Sequence, residues 1–255
     1  MPKRTHPDSC ELQEEVEEVP NKRKRQATLI NCVAVPRAKT PSIFRDCLSV
    51  TGLVYITNFI TTEEETNILA QLDNGEWSTV LKRRVQHFGY IYDYKSRSVS
   101  DEHKIGDLPS WSEPLFDRLR EMNICSKDEN SAPFWQENPT QLIVNEYLPG
   151  QGIAAHIDNM HIFGDPVVSI SLGSDIAMDL SCGEVKHSIF LQRRSLLLLS
   201  DEARYNWKHG IAARKRDKNV KKITTSGIVE MGVERGRRVS LTFRHMLKKK
   251  VDPVN

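Results

Sequence analysis

Apolar and polar positions alternate in short blocks along most of this chain. "TQLIVNEYLPG" (140–150), "PVVSISLGS" (166–174), "IAMDLS" (176–181), "SIFLQ" (188–192), "SLLLLS" (195–200) and "RRVSLTFRHM" (237–246) are too short for helices, and most break at Gly, Pro or Ser. Such runs read as strands, and "FGYIYDY" (88–94) is predicted as another. Earlier, a strand at 53–57 leads through Thr61 and Thr62 into "EEETNILAQLD" (63–73), where threonine caps and first-turn glutamates predict a helix start. "LPSWSEPLFDRLREMNIC" (108–125) reads as a second amphipathic helix. Many short strands after one or two helices predict a mainly β fold with supporting helices, a sandwich or jelly roll. The chain shows neither an internal repeat nor a Gly-rich phosphate loop.

The blocks do not cover the whole chain. Residues 1–45 mix acid, base, Pro and Ser with little periodicity, and are expected to be a disordered charged tail. Residues 46–250 are expected to form one domain, and 255 residues suffice to bury a sizeable core. "NKRKR" (21–25) resembles a nuclear import signal. The N-terminus has no apolar segment of a secretory signal, and no run approaches the roughly 18 apolar residues of a membrane span. Five scattered cysteines suit a reducing compartment. An intracellular monomer is expected, in the cytoplasm, the nucleus or both.

Net charge is only +2, but it is unevenly spread. Residues 203–250 hold fifteen Lys/Arg against three Asp/Glu, while residues 41–202 hold thirteen against twenty-four. A basic concentration within a folded stretch points to a polyanion, and nucleic acid is the natural candidate.

The candidate chemistry begins at "GIAAHIDNM" (152–160). In a strand, His156 and Asp158 would face the same way. His209, in "YNWKHGI", follows another apolar strand about fifty residues later. Two histidines and a carboxylate form the facial triad that holds non-haem Fe(II) with positions left open. Zinc takes the same ligands, so the triad alone keeps a metallohydrolase open.

"RRVSLTFRHM" discriminates between them. Period two puts Arg238, Ser240, Thr242 and Arg244 on one face. Arginines are buried in a β-core only where they meet anions. These two lie roughly 20 Å apart along the strand, so their side chains can converge from opposite ends on one small dianion. Asn145 and Tyr147 share a face of another strand and offer an amide and a phenol. A dicarboxylate beside Fe(II) suggests 2-oxoglutarate.

The ordered set Asn145-x-Tyr147, His156-x-Asp158, His209 and Arg238-x5-Arg244 resembles the AlkB-type Fe(II)/2-oxoglutarate oxygenases over residues 50–247. The resemblance implies a double-stranded β-helix, with His156, Asp158 and His209 on iron. It implies Arg238 on the far carboxylate of 2-oxoglutarate, Arg244 supporting Asp158 and the metal-side carboxylate, and Asn145 and Tyr147 hydrogen-bonded to the cosubstrate. It also implies an enzyme that uses O₂ to couple decarboxylation of 2-oxoglutarate to hydroxylation of a nucleobase substituent.

"LKRRVQHFGYIYDY" (81–94) occupies the place of the family's nucleotide-recognition lid. Lys82, Arg83 and Arg84 beside Tyr90 and Tyr92 suit phosphate contact and base stacking. "RRVQHFGY", "PGQGIAAHID" and "HGIAARK" resemble the branch that hydroxylates a modified wobble uridine in tRNA. tRNA is therefore the favoured partner, with DNA open and a separate tRNA methyltransferase as a further partner. The basic insertion "RKRDKNVKK" (214–222) and the terminal "KKK" would add phosphate contacts. An oxidative demethylase of alkylated DNA or RNA, a protein-directed 2-oxoglutarate oxygenase and a catalytically silent binding module are the alternatives.

Overall fold

A computed structural model describes residues 40–96, 98–122, 124 and 138–247. The "NKRKR" run and the terminal "KKK" lie outside the described residues, as does most of the expected tail. The fold begins earlier than expected: β1 (Ser42–Phe44) pairs antiparallel with β2 (Leu53–Thr57).

Helix α1 (Thr62–Asp73) starts where the threonines predict. The Thr61 hydroxyl accepts from Glu64 N and the Glu64 carboxylate accepts from Thr61 N, satisfying two of the helix's free amides. The second predicted helix divides into a 3₁₀ turn (Ser110–Ser112) and α2 (Glu113–Glu121), with proline in the first turn.

The remaining strands are β3 (Val85–Phe88), β4 (Gln141–Tyr147), β5 (Ile153–His156), β6 (Val167–Gly173), β7 (Ile176–Cys182), β8 (Val185–Leu191), β9 (Leu196–Leu199), β10 (Lys208–Ile211), β11 (Arg216–Thr224), β12 (Gly227–Glu234) and β13 (Arg238–Arg244). A short helix, α3 (Asp201–Tyr205), precedes β10. Seven strands form one sheet in the order β1-β2-β9-β6-β13-β4-β3, and six form another in the order β12-β11-β8-β7-β10-β5.

Period-two alternation sorts side chains between two cores. Leu142, Val144, Ile170, Leu198, Val239, Leu241 and Phe243 turn outward from the seven-stranded sheet and pack under α1 and α2. Tyr55, Leu197 and Leu199 turn inward and meet Met178, Leu180, Ile189 and Leu191 of the six-stranded sheet. Helices thus cover one sheet from outside while the second sheet covers its inner face. This is the mainly β, double-stranded β-helix architecture.

Two expected elements differ. "FGYIYDY" leaves the sheet after Phe88, because Gly89 adopts φ +77°, and a Cβ there would meet the Thr140 carbonyl oxygen at 2.0 Å. The basic "insertion" is strand β11, hairpinned to β12 and touching β8 in parallel. The hairpin's apolar side chains, Val220 of β11 with Met231 and Val233 of β12, cover Ala177 and Phe190.

Candidate active site

The register of the sheets assembles the site. On β10 and β5, His209 stands directly opposite His156, and the imidazole centres are 4.6 Å apart. β5 ends at His156, so Asp158 is delivered by the following loop rather than by the strand. That loop is fixed from beneath by Arg204, 2% exposed, which donates to the carbonyls of Asp158 (2.9 Å), Phe163 (2.8 Å) and Gly164 (3.2 Å). His156, Asp158 and His209 each bring a ligand atom, all within 4.8 Å of one another.

The three groups are prepared for a cation. His156 Nδ1 lies 2.9 Å from the Ala154 carbonyl, which can only accept, so Nδ1 donates there and Nε2 is the ring nitrogen left for a metal. Burial pushes His209 down to about 4, leaving it a neutral donor near pH 7. Burial would raise Asp158, but the opposing field of Arg244, then of the two histidines, holds it at about 2. Arg244 Nη2 binds Asp158 Oδ1 at 2.5 Å. Asp158 Oδ2 is buried without a hydrogen-bond partner among the described residues, 3.5 Å from His209 Nε2. An unsatisfied carboxylate oxygen between imidazoles fits a divalent metal.

Beside this cluster, β4 and β13 pair so that Gln141 faces Arg244, Asn145 faces Ser240 and Tyr147 faces Arg238. Asn145, Tyr147, Arg238, Ser240, Thr242 and Arg244 line, with both histidines, a single cleft. Arg238 is 1% exposed; it binds the Ser171 hydroxyl at 2.9 Å and lies 5.4 Å from the centre of the Tyr147 ring. No carboxylate reaches it among the described residues, and burial lowers its guanidinium to about 10. A buried cation without a counter-ion makes this end of the cleft an anion site.

The lid residues disperse. Arg83 Nε donates to Asn145 Oδ1 at 2.8 Å. Arg84 turns to the opposite face, chelates Glu146 at 2.6 and 2.7 Å and lies over Trp77. Lys82 is exposed, and its carbonyl accepts from Gln151. Tyr90 lines a separate groove with Lys104 and Phe116. Tyr92 packs edge-on to Tyr94 and beside Phe163, the ring beneath Arg244. Gln141, Ser171, Tyr94 and Arg204 were not foreseen. Gln141 lies at period-two spacing from Asn145 and Tyr147, a signal that was available. Arg204 has no such signal, since its partners are backbone carbonyls.

Two facing sheets, a two-histidine, one-carboxylate cluster and a buried anion site define a metal-dependent oxygenase that uses an acidic cosubstrate. Residues 52–244 match the family model described as the 2OG-Fe(II) oxygenase superfamily. The chain belongs to that family. It is 35% identical over 218 residues to an "Alkylated DNA repair protein ALKBH8 homolog" from Arabidopsis thaliana, covering 77% of this chain and 59% of the relative. It is 37% identical over 210 residues to the "tRNA (carboxymethyluridine(34)-5-O)-methyltransferase ALKBH8" of Macaca fascicularis, covering 76% of this chain and 30% of the relative. A "DNA N6-methyl adenine demethylase" from Caenorhabditis elegans is 30% identical over 204 residues, with 79% and 62% covered. The solved structure of OsALKBH1 shares the fold, with TM-score 0.55 and 17% identity over 76% of this chain and 96% of that one.

The enzyme is a 2-oxoglutarate-dependent dioxygenase that uses Fe(II), 2-oxoglutarate and O₂. When bound, the iron supplies oxidative decarboxylation of 2-oxoglutarate coupled to oxidation of a C–H bond. The chain's own residues supply a neutral His209, an ionised Asp158 held by Arg244, and a buried positive end at Arg238.

Proposed function

We propose that this oxygenase acts on nucleic acid and hydroxylates a modified base in tRNA. His156, Asp158 and His209 would hold Fe(II), and Asn145, Tyr147, Arg238 and Arg244 would hold 2-oxoglutarate. The observation that carries the tRNA reading is the 37% identity over 210 residues with a relative named for a tRNA uridine modification. A separate methyltransferase would prepare the substrate base. The second reading, oxidative demethylation of DNA or RNA, is favoured by the 30% identity with an N6-methyl adenine demethylase.

The test is mass spectrometry of nucleosides from total tRNA of cells with and without the protein. The tRNA reading predicts a uridine derivative lacking one hydroxyl when the protein is absent. Unchanged tRNA, with N-methylated bases accumulating in DNA or another RNA, would move the assignment to demethylation.

A further inference from the structure

Arg83 and Arg84 are neighbours in sequence, yet the sheet sends them to opposite faces. Val85 stands opposite Asn145, and Glu146 N donates to Arg84 O at 3.0 Å. Alternation then carries Arg83 to the inner face with Asn145 and Tyr147, and Arg84 to the outer face with Glu146. Arg83 Nε reaches Asn145 Oδ1 at 2.8 Å, and its guanidinium carbon lies 5.8 Å from the centre of the Tyr147 ring. Arg238 lies 5.4 Å from that same ring centre. Two guanidiniums therefore lie within cation–π range of Tyr147.

We infer that Arg83 is a positioning residue for 2-oxoglutarate, acting through the amide of Asn145. A carboxamide presents an oxygen acceptor on one side and two N–H donors on the other, and rotation about its last bond exchanges them. Only the donor side attracts a carboxylate. Because Arg83 donates to Oδ1, the oxygen is committed to that guanidinium and the NH₂ is left for the cleft, where Arg238 is buried without a counter-ion among the described residues. Without Arg83 the amide is free to turn its oxygen towards the cosubstrate, where it repels. The inference rests on Asn145 contacting 2-oxoglutarate. It separates Arg83 from its lid neighbours Lys82 and Arg84, which reach neither Asn145 nor Tyr147 among the contacts of the described residues.

The test uses the full chain loaded with Mn(II), without nucleic acid, so that nothing turns over. Equilibrium dialysis against labelled 2-oxoglutarate compares the wild type with Arg83→Met, Arg83→Lys, Asn145→Ala and the Arg83→Met/Asn145→Ala double variant. Arg83→Met should weaken binding about tenfold, the scale of one charge-assisted hydrogen bond. Arg83→Lys should recover part of it, since an ammonium still donates to Oδ1. In the Asn145→Ala background, Arg83→Met should change nothing further. In iron-loaded enzyme the loss should fall on KM for 2-oxoglutarate more than on kcat. Equal affinity of wild type and Arg83→Met, with Asn145→Ala weakened, overturns the inference, and so do additive losses in the double variant. Unchanged affinity of Asn145→Ala itself overturns the pocket assignment beneath it, and the inference with it.

Discussion

Arg238 sits wholly inside the protein with a serine hydroxyl and a tyrosine ring for company, and it makes the most direct residue-scale prediction. Removing one partner of a buried ion pair costs about 3–5 kcal/mol. Arg238→Ala should therefore raise the 2-oxoglutarate requirement by two orders of magnitude or more, read from succinate formation. Arg238→Lys should rescue only part, because an ammonium lacks the two-pronged geometry. Unchanged cosubstrate affinity in both would remove Arg238 from the site. His87 supports a second prediction. Burial first, then Arg244, pushes it down to about 4 from an ordinary 6.5. Below pH 6.5 the unfolded chain takes up a proton that folded His87 refuses, so stability falls with pH until about 4. His209 shares the direction and the window. In metal-free protein, chemical unfolding should show His87→Gln with a visibly shallower loss between these limits; an unaltered slope would contradict the buried neutral assignment. At this scale, legibility followed periodicity. The shared faces of Asn145 with Tyr147 and of Arg238 with Arg244 are a consequence of period two, and both pairs line one cleft. Asp158 differs: its position depends on a loop whose anchor, Arg204, is distant in sequence and binds backbone that carries no side-chain signature.

Among the elements, the apolar strands were legible and the polar hairpin was not. β11 and β12 carry charged or small residues at most exposed positions, so their alternation resembles a solvated loop. What makes them a hairpin is tertiary: Val220 is fully buried against Ala177 and Phe190, and Asp217, also fully buried, binds Arg235 at 2.6 Å. The hairpin divides its cations. Arg214 pairs with Asp217, and Arg216 with Glu234, whereas Lys215 and Lys218 are exposed, and neither they nor Lys221 nor Lys222 has a salt-bridge partner among the described residues. If this hairpin meets a nucleic-acid backbone, replacing Lys215, Lys218, Lys221 and Lys222 by Ala should flatten the dependence of binding on salt. Each phosphate contact contributes about 0.7–0.9 to that slope. Filter binding across a salt series reads it directly, with uncoupled 2-oxoglutarate turnover retained. An identical slope in the variant would place the nucleic acid elsewhere. The lid shows the opposite failure, a strand pattern that ends early because Gly89 must pass beside the Thr140 carbonyl.

For the molecule as a whole, the sandwich follows from strands apolar on both sides: one side is covered by α1 and α2, the other by the second sheet. The charge asymmetry was visible in the sequence, but its meaning changes in three dimensions. Much of the basic excess of residues 203–250 is arginine already buried or paired within the protein. Arg204 holds the Asp158 loop, Arg235 and Arg214 hold Asp217, Arg237 holds Asp73 and Glu146, and Arg238 and Arg244 line the cleft. Counting charge along the chain could not separate these from the solvent-facing lysines. The measurement that tests the central claim most directly uses purified protein with Fe(II), 2-oxoglutarate and O₂, challenged in parallel with tRNA, single-stranded DNA and a lysine-rich peptide. Succinate formation and the mass of the digested substrate are recorded together, with His156→Ala and His209→Ala as controls. The account predicts that tRNA alone stimulates succinate formation, that one of its modified bases gains a single oxygen, and that both signals vanish in either histidine variant. Stimulation by the peptide with none by either nucleic acid, or full turnover in a histidine variant, would contradict it.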